Sequence, residues 1–299
     1  MDNLTHSFVG ALIGQAGLKR RTGLAMPALI IGANIPDIDA TCTIYGIESL
    51  AMRRGLTHGP IAWVLLPLVL AGLLYGWDHL QARRGKRPEG RLPVHFGWLY
   101  ALSLIGCLTH PGLDWMNSYG IRLLEPFSSE WFYGDVLFII DLWLWLGLGF
   151  ATWLSLRREK RGGEWQRPAR IGLAGALAYI GLNAAITWRA EARAVASAPY
   201  PAVAIANEVP VAFWRRELVT GQGDGLWQTS VGQVGDLPLD RCDLAAARDA
   251  DPRVDAFLFW SRAPFVERAG EGWLLRDARF AASLGTGRFS VQLPPDTCR

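Results

Sequence analysis

Apolar stretches dominate the first 188 residues of the chain and constrain its fold more than any other feature. Six of them stand out, at residues 7–18, 24–36, 60–77, 97–110, 136–156 and 170–188. A helix needs about 20 apolar residues to cross the hydrocarbon core of a bilayer, and the third and fifth stretches approach that length. The sequence therefore predicts an α-helical polytopic membrane domain of five to six helices over residues 1–190.

The composition agrees with a chain that is only partly embedded in a membrane. Hydrophobic residues make up 51% of the 299 residues and charged residues 19%, which is too apolar for an ordinary soluble enzyme. The first two apolar stretches are short and rich in glycine, with Gly10, Gly14, Gly17 and Gly32. Small residues let helices approach closely, so we expect a tightly packed or re-entrant hairpin there.

The sequence changes character from about residue 199 onward. A linker is indicated by three prolines, Pro199, Pro201 and Pro210. Strand-like runs follow at residues 213–220, 226–231, 256–260, 272–275 and 288–293. The glycine-rich stretch 221–225 between the first two runs is typical of a hairpin loop. We therefore predict a small β-rich soluble domain over residues 199–299.

Clusters of basic residues indicate how the helices are oriented in the membrane. They lie between apolar stretches, at residues 19–21, 83–91 and 157–170. Cytoplasmic loops of membrane proteins carry an excess of Lys and Arg, so these clusters are expected on the cytoplasmic side. Alternation then places the N-terminus, residues 37–59, residues 111–135 and everything after 189 on the opposite side. Arg53 and Arg54 contradict this orientation, but the three clusters outweigh one pair.

This orientation predicts a multi-pass protein of a bacterial inner membrane with a periplasmic C-terminal domain. The oxidising periplasm permits disulfides. Cys242 and Cys298 could therefore form one, and two free thiols are the alternative. The lipid bilayer is the expected partner. A net charge of +3 is mild, so no nucleic acid is expected.

Histidine and aspartate residues in the membrane half carry the chemical signal. The set comprises His6, Asp37, Asp39, His58, His110 and Asp114. Ionisable groups within membrane segments are expensive and mark functional sites by default. His110 and Asp114 are four residues apart, so a helix presents both on one face. In the orientation given above all six lie at or near periplasmic helix ends, which predicts one shared site.

We interpret the six residues as ligands of one or two divalent ions, because imidazole with carboxylate suits zinc, with manganese as an alternative. Asp37, Asp39 and Asp114 are the candidates to accept the proton of an attacking water. Four further residues could orient the ligands, namely Thr5, Thr57, Asp135 and Asp141. Three could bind an anionic substrate, namely Arg54, Asn117 and Arg122.

Hydrolysis by a metal-activated water is the favoured function. The sequence has no Gly-x-Ser-x-Gly elbow, Walker loop or dinucleotide fingerprint. A site at helix ends near the headgroups meets lipids first, so the expected substrate is a lipid or lipid-linked phosphoester. A non-catalytic membrane scaffold or transporter with a metal-binding cluster is one alternative. A membrane metalloprotease is another, although the His-Glu-x-x-His motif is missing.

Several ordered motifs support this interpretation. They are Asn-Leu-Thr-His at 3–6, Pro-Asp-Ile-Asp at 36–39, Arg-Gly-Leu-Thr-His at 54–58 and the segment 110–127, followed by 131–135 and 138–141. Together they resemble the YdjM family over about residues 1–190. Members of that family are described as inner-membrane-associated, metal-dependent hydrolases, so the resemblance implies a membrane hydrolase.

A more distant similarity concerns the order of the metal-binding residues. The order His6, Asp37, His58, His110, Asp114 resembles that of the zinc ligands in zinc-dependent phospholipase C. The chain lacks the later histidines and the His-x-x-x-Glu of that group. The similarity therefore implies one or two ions rather than a three-zinc cluster.

Overall fold

The structure, a computed structural model, describes residues 1–197, 203–281 and 289–299. These residues form two compact units. The first comprises Met1–Asp39 and Arg54–Leu182, and the second comprises Ala40–Arg53 and Asn183–Arg299. Two of the predicted linker prolines, Pro199 and Pro201, lie outside the described residues.

Helices make up the N-terminal region, as predicted. In chain order they are α1 (Asn3–Gln15), α2 (Ala25–Gly32), α3 (Ser49–Met52), α4 (Pro60–Arg83), α5 (Phe96–Trp115), α6 (Leu142–Lys160) and α7 (Gln166–Ser197). Short 3-10 turns lie at Leu18–Arg20, Ile35–Glu48 and Leu56–His58. Each of the six predicted apolar stretches coincides with a helix, and the small α3 is an addition that the sequence did not indicate.

The fifth apolar helix begins later than the sequence predicts. The run 136–156 suggests a helix that starts at Asp135, but α6 starts at Leu142. Asp135 has a φ of +53°, and the two residues after it donate their N–H groups to the carbonyl of Met116. The carboxylate of Asp141 then caps α6 by accepting an N–H of the first turn at 2.9 Å.

Glycines bring the backbones of α1, α2 and α5 into contact. A Cβ atom on Gly106 of α5 would lie 2.5 Å from the carbonyl oxygen of Leu29 in α2. A Cβ atom on Gly32 would lie 2.7 Å from the carbonyl oxygen of Ser103. A Cβ atom on Gly10 would lie 2.7 Å from the carbonyl oxygen of Leu29. Because Cβ atoms do not approach backbone oxygens so closely, these contacts need glycine, and the predicted close packing through small residues is present.

Apolar side chains cover the outside of the longest helices. Among the described helices, α4 and α7 are long and apolar enough to cross a membrane. Only 22% and 11% of their most apolar windows are buried, unlike the core helices of soluble proteins. Leu65, Leu73 and Trp77 on α4 and Leu177 and Trp188 on α7 are exposed. Exposed apolar surface of this extent is typical of contact with lipid or another apolar partner.

Strands make up much of the C-terminal region, which confirms the predicted order of a helical region followed by a small β-rich one. One antiparallel sheet has the order β1 (Val203–Glu208), β2 (Arg216–Gly221), β3 (Trp227–Thr229), β4 (Gly232–Val234). The second has the order β5 (Pro264–Ala269), β6 (Gly272–Asp277), β7 (Ser290–Leu293). The glycine-rich loop joins β2 to β3 as a hairpin, as predicted.

Two helices, α8 (Leu244–Ala250) and α9 (Pro252–Trp260), separate the two sheets along the chain. A disulfide links Cys242 to Cys298, which resolves the alternative that the sequence left open. The second unit also includes α3, which packs against α9.

The run 256–260, predicted as a strand, is part of α9, and this prediction was wrong. Asp251 caps the helix by accepting the N–H of Arg253 at 2.9 Å, and Pro252 occupies its first position. Val254, Phe257 and Trp260 are buried at a spacing of three residues, which is helical rather than alternating. Of the last predicted run, Arg288 lies outside the described residues.

We expect Gly106→Ala to lower the thermal unfolding temperature, because the new methyl group must displace the Leu29 carbonyl. Overpacking of this kind destabilises proteins by about 1–3 kcal/mol. Gly112→Ala is the matched control on the same helix, since its Cβ would meet no atom within 4 Å. Equal unfolding temperatures of the two variants in the same detergent would contradict the close contact of α2 with α5.

A buried ion pair lies in the second unit. Both carboxylate oxygens of Asp277 accept hydrogen bonds from the Arg279 guanidinium, at 2.9 and 2.8 Å, and Ser261 donates to Oδ2 at 2.5 Å. Burial alone would raise the pKa of Asp277, but the charge and hydrogen bonds of Arg279, with the Ser261 hydroxyl, lower it. The guanidinium also packs 4.8 Å from the ring centroid of Trp260.

The second unit should lose stability in acid through Asp277. Its pKa is lower in the folded state, so its stabilisation is present above the unfolded pKa near 3.8 and is lost as the pH falls below that value. Asp277→Asn should flatten the dependence of unfolding on pH between about 5 and 2, and should destabilise the unit at neutral pH by about 3–5 kcal/mol. Tryptophan fluorescence during urea unfolding measures both effects, and an unchanged acid limb would contradict the assignment.

Candidate metal centre

The ends of four helices in the first unit bring the predicted histidines and aspartates together. His6 lies at the start of α1, and Asp37 follows the end of α2. His58 immediately precedes α4, while His110 and Asp114 occupy the last turns of α5. Because successive helices reverse direction, these ends meet, and the basic residues 19–21 and 83–91 lie at the opposite helix ends.

Four of these residues could hold a metal ion, namely Asp37, His58, His110 and Asp114, whose ligand atoms all lie within 4.8 Å of one another. Nε2 of His110 lies 3.7 Å from Oδ1 of Asp37 and 3.6 Å from Oδ2 of Asp114. Nε2 of His58 lies 3.6 Å from the same Asp114 oxygen. Imidazole nitrogens and carboxylate oxygens gathered at these separations form a donor set that suits a first-row divalent ion.

A backbone carbonyl orients the ring of His110. Nδ1 of His110 lies 2.7 Å from the carbonyl oxygen of Ala33. That oxygen can only accept, so Nδ1 carries the proton and donates. Nε2 is therefore the nitrogen with a lone pair, as in metal sites where the other ring nitrogen donates to a carbonyl.

A threonine and a carboxylate orient His58 in the same sense. The Thr57 hydroxyl donates to Oδ2 of Asp39 at 2.8 Å and lies 2.9 Å from Nδ1 of His58. Because the hydroxyl proton is directed at Asp39, its oxygen accepts from Nδ1. Nε2 of His58 is again left with a lone pair.

The two lone pairs face acceptors rather than donors. Nε2 of His58 and Nε2 of His110 are fully buried and have no hydrogen-bond partner among the described residues. Carboxylate oxygens of Asp37 and Asp114 lie 3.6–3.7 Å from these nitrogens. Lone pairs buried against carboxylates are unfavourable unless a cation lies between them. The donor set therefore fits a divalent metal.

His6 and Asp39 border this group of four. The ring of His6 stacks on that of His110 with centroids 3.8 Å apart, and its Nε2 lies 3.3 Å from Oδ1 of Asp114. Both nitrogens of His6 are buried without a hydrogen-bond partner among the described residues. Asp39 contacts His58 through Oδ2, 3.4 Å from Nδ1. Both residues are adjacent to the cluster. They are therefore the residues that could bind a second ion.

The electrostatics favour the ligand forms of these groups. Burial lowers the pKa of His58 to about 4, although the hydrogen bond and charge of Asp39 act in the opposite direction. Burial alone would raise the pKa of Asp39, but His58, the Thr57 hydroxyl and the backbone N–H of Arg54 lower it. At neutral pH the imidazole is therefore neutral and the carboxylate is ionised.

Arg54, predicted to bind substrate, is buried and held by the protein. Its Nε lies 2.9 Å from Oδ2 of Asp114, and its Nη1 donates to Oδ1 of Asn117 at 2.8 Å. The guanidinium packs 4.7 Å from the ring centroid of Tyr119. The residue has a φ of +54°, a backbone conformation that no pattern of neighbouring residues indicates. A fixed positive charge thus lies directly beside the cluster.

The other two predicted substrate residues differ in how they are engaged. Nη1 of Arg122 pairs with Oε1 of Glu125 at 2.6 Å. The Arg122 guanidinium also packs against Gly55, since a Cβ atom added to Gly55 would lie 2.4 Å from Nη2 of Arg122. Asn117 accepts through Oδ1, but its buried Nδ2 has no hydrogen-bond partner among the described residues. Asn117 therefore retains a donor that a bound anion could use.

The four residues predicted to orient the ligands have different surroundings. Thr57 contacts His58 as described above. The hydroxyl of Thr5 donates instead to Asp2 at 2.6 Å. Asp141 caps α6 and accepts from the hydroxyl of Tyr179 at 3.0 Å, so it joins two helices. Asp135 is buried in the loop before α6.

Sequence reasoning missed two contributors to the site. The carbonyl of Ala33 orients His110, and no side-chain pattern signals a backbone acceptor. The amino group of Met1 contacts Oδ1 of Asp114, and the carboxylate of the next residue, Asp2, caps α1. An aspartate directly before an apolar helix is a capping signal that could have identified Asp2.

Comparison with known proteins gives one family. The family model described as YdjM inner membrane protein matches residues 1–190. No curated protein and no solved structure matches the chain. The match covers more than half of the chain and includes every residue of the cluster.

Removing either oriented histidine should abolish stoichiometric metal binding. Detergent-purified wild type should retain about one or two equivalents of zinc or manganese by plasma mass spectrometry, and His58→Ala and His110→Ala should lose it. His79→Ala is the control, because His79 is exposed at the opposite end of α4. Unfolding temperatures of the variants measured without metal separate ligand loss from misfolding. Metal-free wild type that takes up no added ion would contradict the site.

Proposed function

The chain belongs to the YdjM inner membrane protein family, and we propose that it is a membrane-bound, metal-dependent hydrolase that cleaves a lipid or lipid-linked phosphoester. The observation that carries the proposal is the pair of oriented imidazoles, His58 and His110, whose buried lone pairs converge on carboxylates. Such an arrangement has a physical reason when a cation is bound. It has none as a set of packing contacts.

Asp37, His58, His110 and Asp114 would hold the ion, and His6 and Asp39 would complete the ligands of a second one. The mixture of imidazole and carboxylate suits zinc, with manganese as the alternative. When bound, the cation supplies Lewis acidity, which polarises a phosphoryl group and acidifies an attacking water.

Asp39 is the best placed of the three aspartates to accept a proton. Its Oδ2 already accepts from the Arg54 N–H at 2.7 Å and from the Thr57 hydroxyl at 2.8 Å. These donors hold the carboxylate in one orientation and keep it ionised. Its Oδ1 is buried without a hydrogen-bond partner among the described residues, and is therefore available to take the proton.

Fixed donors beside the cluster suit a phosphoryl group. Arg54 supplies a buried guanidinium next to Asp114, and Asn117 supplies the unused Nδ2. Arg122 adds a second guanidinium close to Gly55. Arginine forks match the geometry of phosphate oxygens, so these residues would bind and orient the anion while Asp39 moves the proton.

Apolar side chains around the cluster support a lipid substrate. Ile38, between the two aspartates, and Leu56, two residues before His58, are 58% and 65% exposed. Phe127, after the α5 segment, is 75% exposed. Apolar groups at the edge of a polar site are expected where acyl chains or the bilayer surface lie against it.

The proposal includes a topology. Besides the candidate spans α4 and α7, helices α1, α2, α5 and α6 would be embedded, which gives the multi-pass domain predicted from the sequence. The basic helix ends would be cytoplasmic and the His/Asp cluster periplasmic. The residues after 189, including the disulfide between Cys242 and Cys298, would then lie in the oxidising periplasm.

Asp39→Asn should lower kcat by about 10²–10⁴-fold, since the amide cannot accept the proton, while the ion held by Asp37, His58, His110 and Asp114 is retained. The assay uses metal-loaded protein with a chromogenic phosphodiester and with short-chain phosphatidic acid in mixed micelles. Asp78→Asn is the control, because Asp78 is a buried carboxylate at the other end of the helical unit. Turnover of casein alone, or equal turnover by Asp39→Asn and wild type, would contradict the proposal.

A further inference from the structure

The helix ends opposite the His/Asp cluster carry a second feature, a cavity of about 380 Å³ lined by three arginines. Arg20 and Arg21 follow α1, and Arg170 lies in the first turns of α7. Arg170 is fixed, since its Nε donates to the carbonyl of Ala16 at 3.2 Å and its Nη2 to Gln166 at 2.9 Å. No acidic residue is among the described residues that line this cavity.

Tryptophans hold two of the arginines without neutralising them. The Arg20 guanidinium lies 5.2 Å from the ring centroid of Trp165. The Arg21 guanidinium lies 5.1 Å from the ring centroid of Trp98. Among the described residues neither arginine forms an ion pair with a carboxylate, whereas the neighbouring Lys19 pairs with Glu159. Cation–π stacking fixes the direction of a guanidinium and leaves its hydrogen-bond donors available.

An apolar surface begins where the arginines end. A second cavity, of about 520 Å³, shares Arg21 and is lined further by Trp98 and Ala101 of α5. Ile105 and Leu108 follow Ala101 at helical spacing and are 37% and 44% exposed. They continue the same face of α5 away from the arginines. A cationic cavity is therefore continuous with an apolar strip along a helix.

We propose that the three arginines bind the phosphate of an anionic phospholipid whose acyl chain lies along the outer face of α5. Guanidinium groups match phosphate oxygens in charge and geometry. Tryptophan is common at the depth of lipid headgroups. The apolar strip on α5 gives a lipid an advantage over free phosphate, which would use the arginines alone. This site is separate from the metal centre and does not depend on the proposed hydrolysis.

The experiment is lipid retention by the full chain, measured by native mass spectrometry after exchange into a neutral detergent. Wild type supplied with phosphatidylglycerol and phosphatidylcholine should retain one phosphatidylglycerol. Arg20→Gln/Arg21→Gln should bind it at least about tenfold more weakly, since each basic group near an anionic headgroup contributes substantially. Competition with millimolar inorganic phosphate should not displace the lipid.

Arg83→Gln/Arg84→Gln is the matched control. It removes the same charge from exposed residues at the same end of the helical unit, outside the cavity, and should bind like wild type. Equal weakening in both double variants would reduce the effect to diffuse attraction and overturn the site. Displacement by inorganic phosphate, or equal retention of phosphatidylcholine, would also overturn it. A thermal unfolding temperature of Arg20→Gln/Arg21→Gln equal to that of wild type in the same detergent verifies that the variant is folded.

Discussion

The contact of α2 with α5 at Gly32 and Gly106 is the constraint on which the metal centre depends. With no side chain between them, the two backbones approach until the carbonyl of Ala33 reaches Nδ1 of His110. That single hydrogen bond fixes the tautomer and the direction of the imidazole. Asp114 lies one helical turn further along α5, and its Oδ2 lies 3.6 Å from the other ring nitrogen, Nε2 of His110. Packing of small residues thus decides a question of chemistry, namely which nitrogen can bind a metal.

Charge then decides what the cluster can hold. The side chains comprise three carboxylates, Asp37, Asp39 and Asp114, and one guanidinium, Arg54. With neutral imidazoles these side chains carry a net charge of −2, and the Met1 ammonium beside Asp114 reduces it to −1. The cluster is therefore negatively charged and attracts a divalent cation. Burial makes an unbalanced charge expensive, so the protein has reason either to bind such an ion or to raise the pKa of a carboxylate. The hydrogen bonds to Asp39 oppose the second outcome.

The sequence indicated that these residues would lie together, because helical periodicity and the alternation of basic loops relate residues that are far apart in the chain. The spacing of His110 and Asp114 and the alternation of basic loops sufficed to expect six residues at one end of the helices. Local backbone geometry was not predictable in this way. The positive φ of Asp135 interrupts an apolar run that otherwise continues into α6. A short apolar run such as 256–260 is compatible with either a strand or a helix. The engagement of Arg54 depends on a left-handed backbone that its side chain does not favour.

The loop between Asp39 and Arg54 links the metal centre to the second unit by chain continuity. The chain leaves the helical unit after Asp39, forms α3 within the second unit, and returns at Arg54. The Arg54 N–H donates to Oδ2 of Asp39 at 2.7 Å, so one hydrogen bond closes the base of this excursion. Asp39 therefore closes the loop through Oδ2 while its Oδ1 remains available to the site. Because the bond joins the two ends of the excursion, it keeps Arg54 beside the proposed proton acceptor within the helical unit.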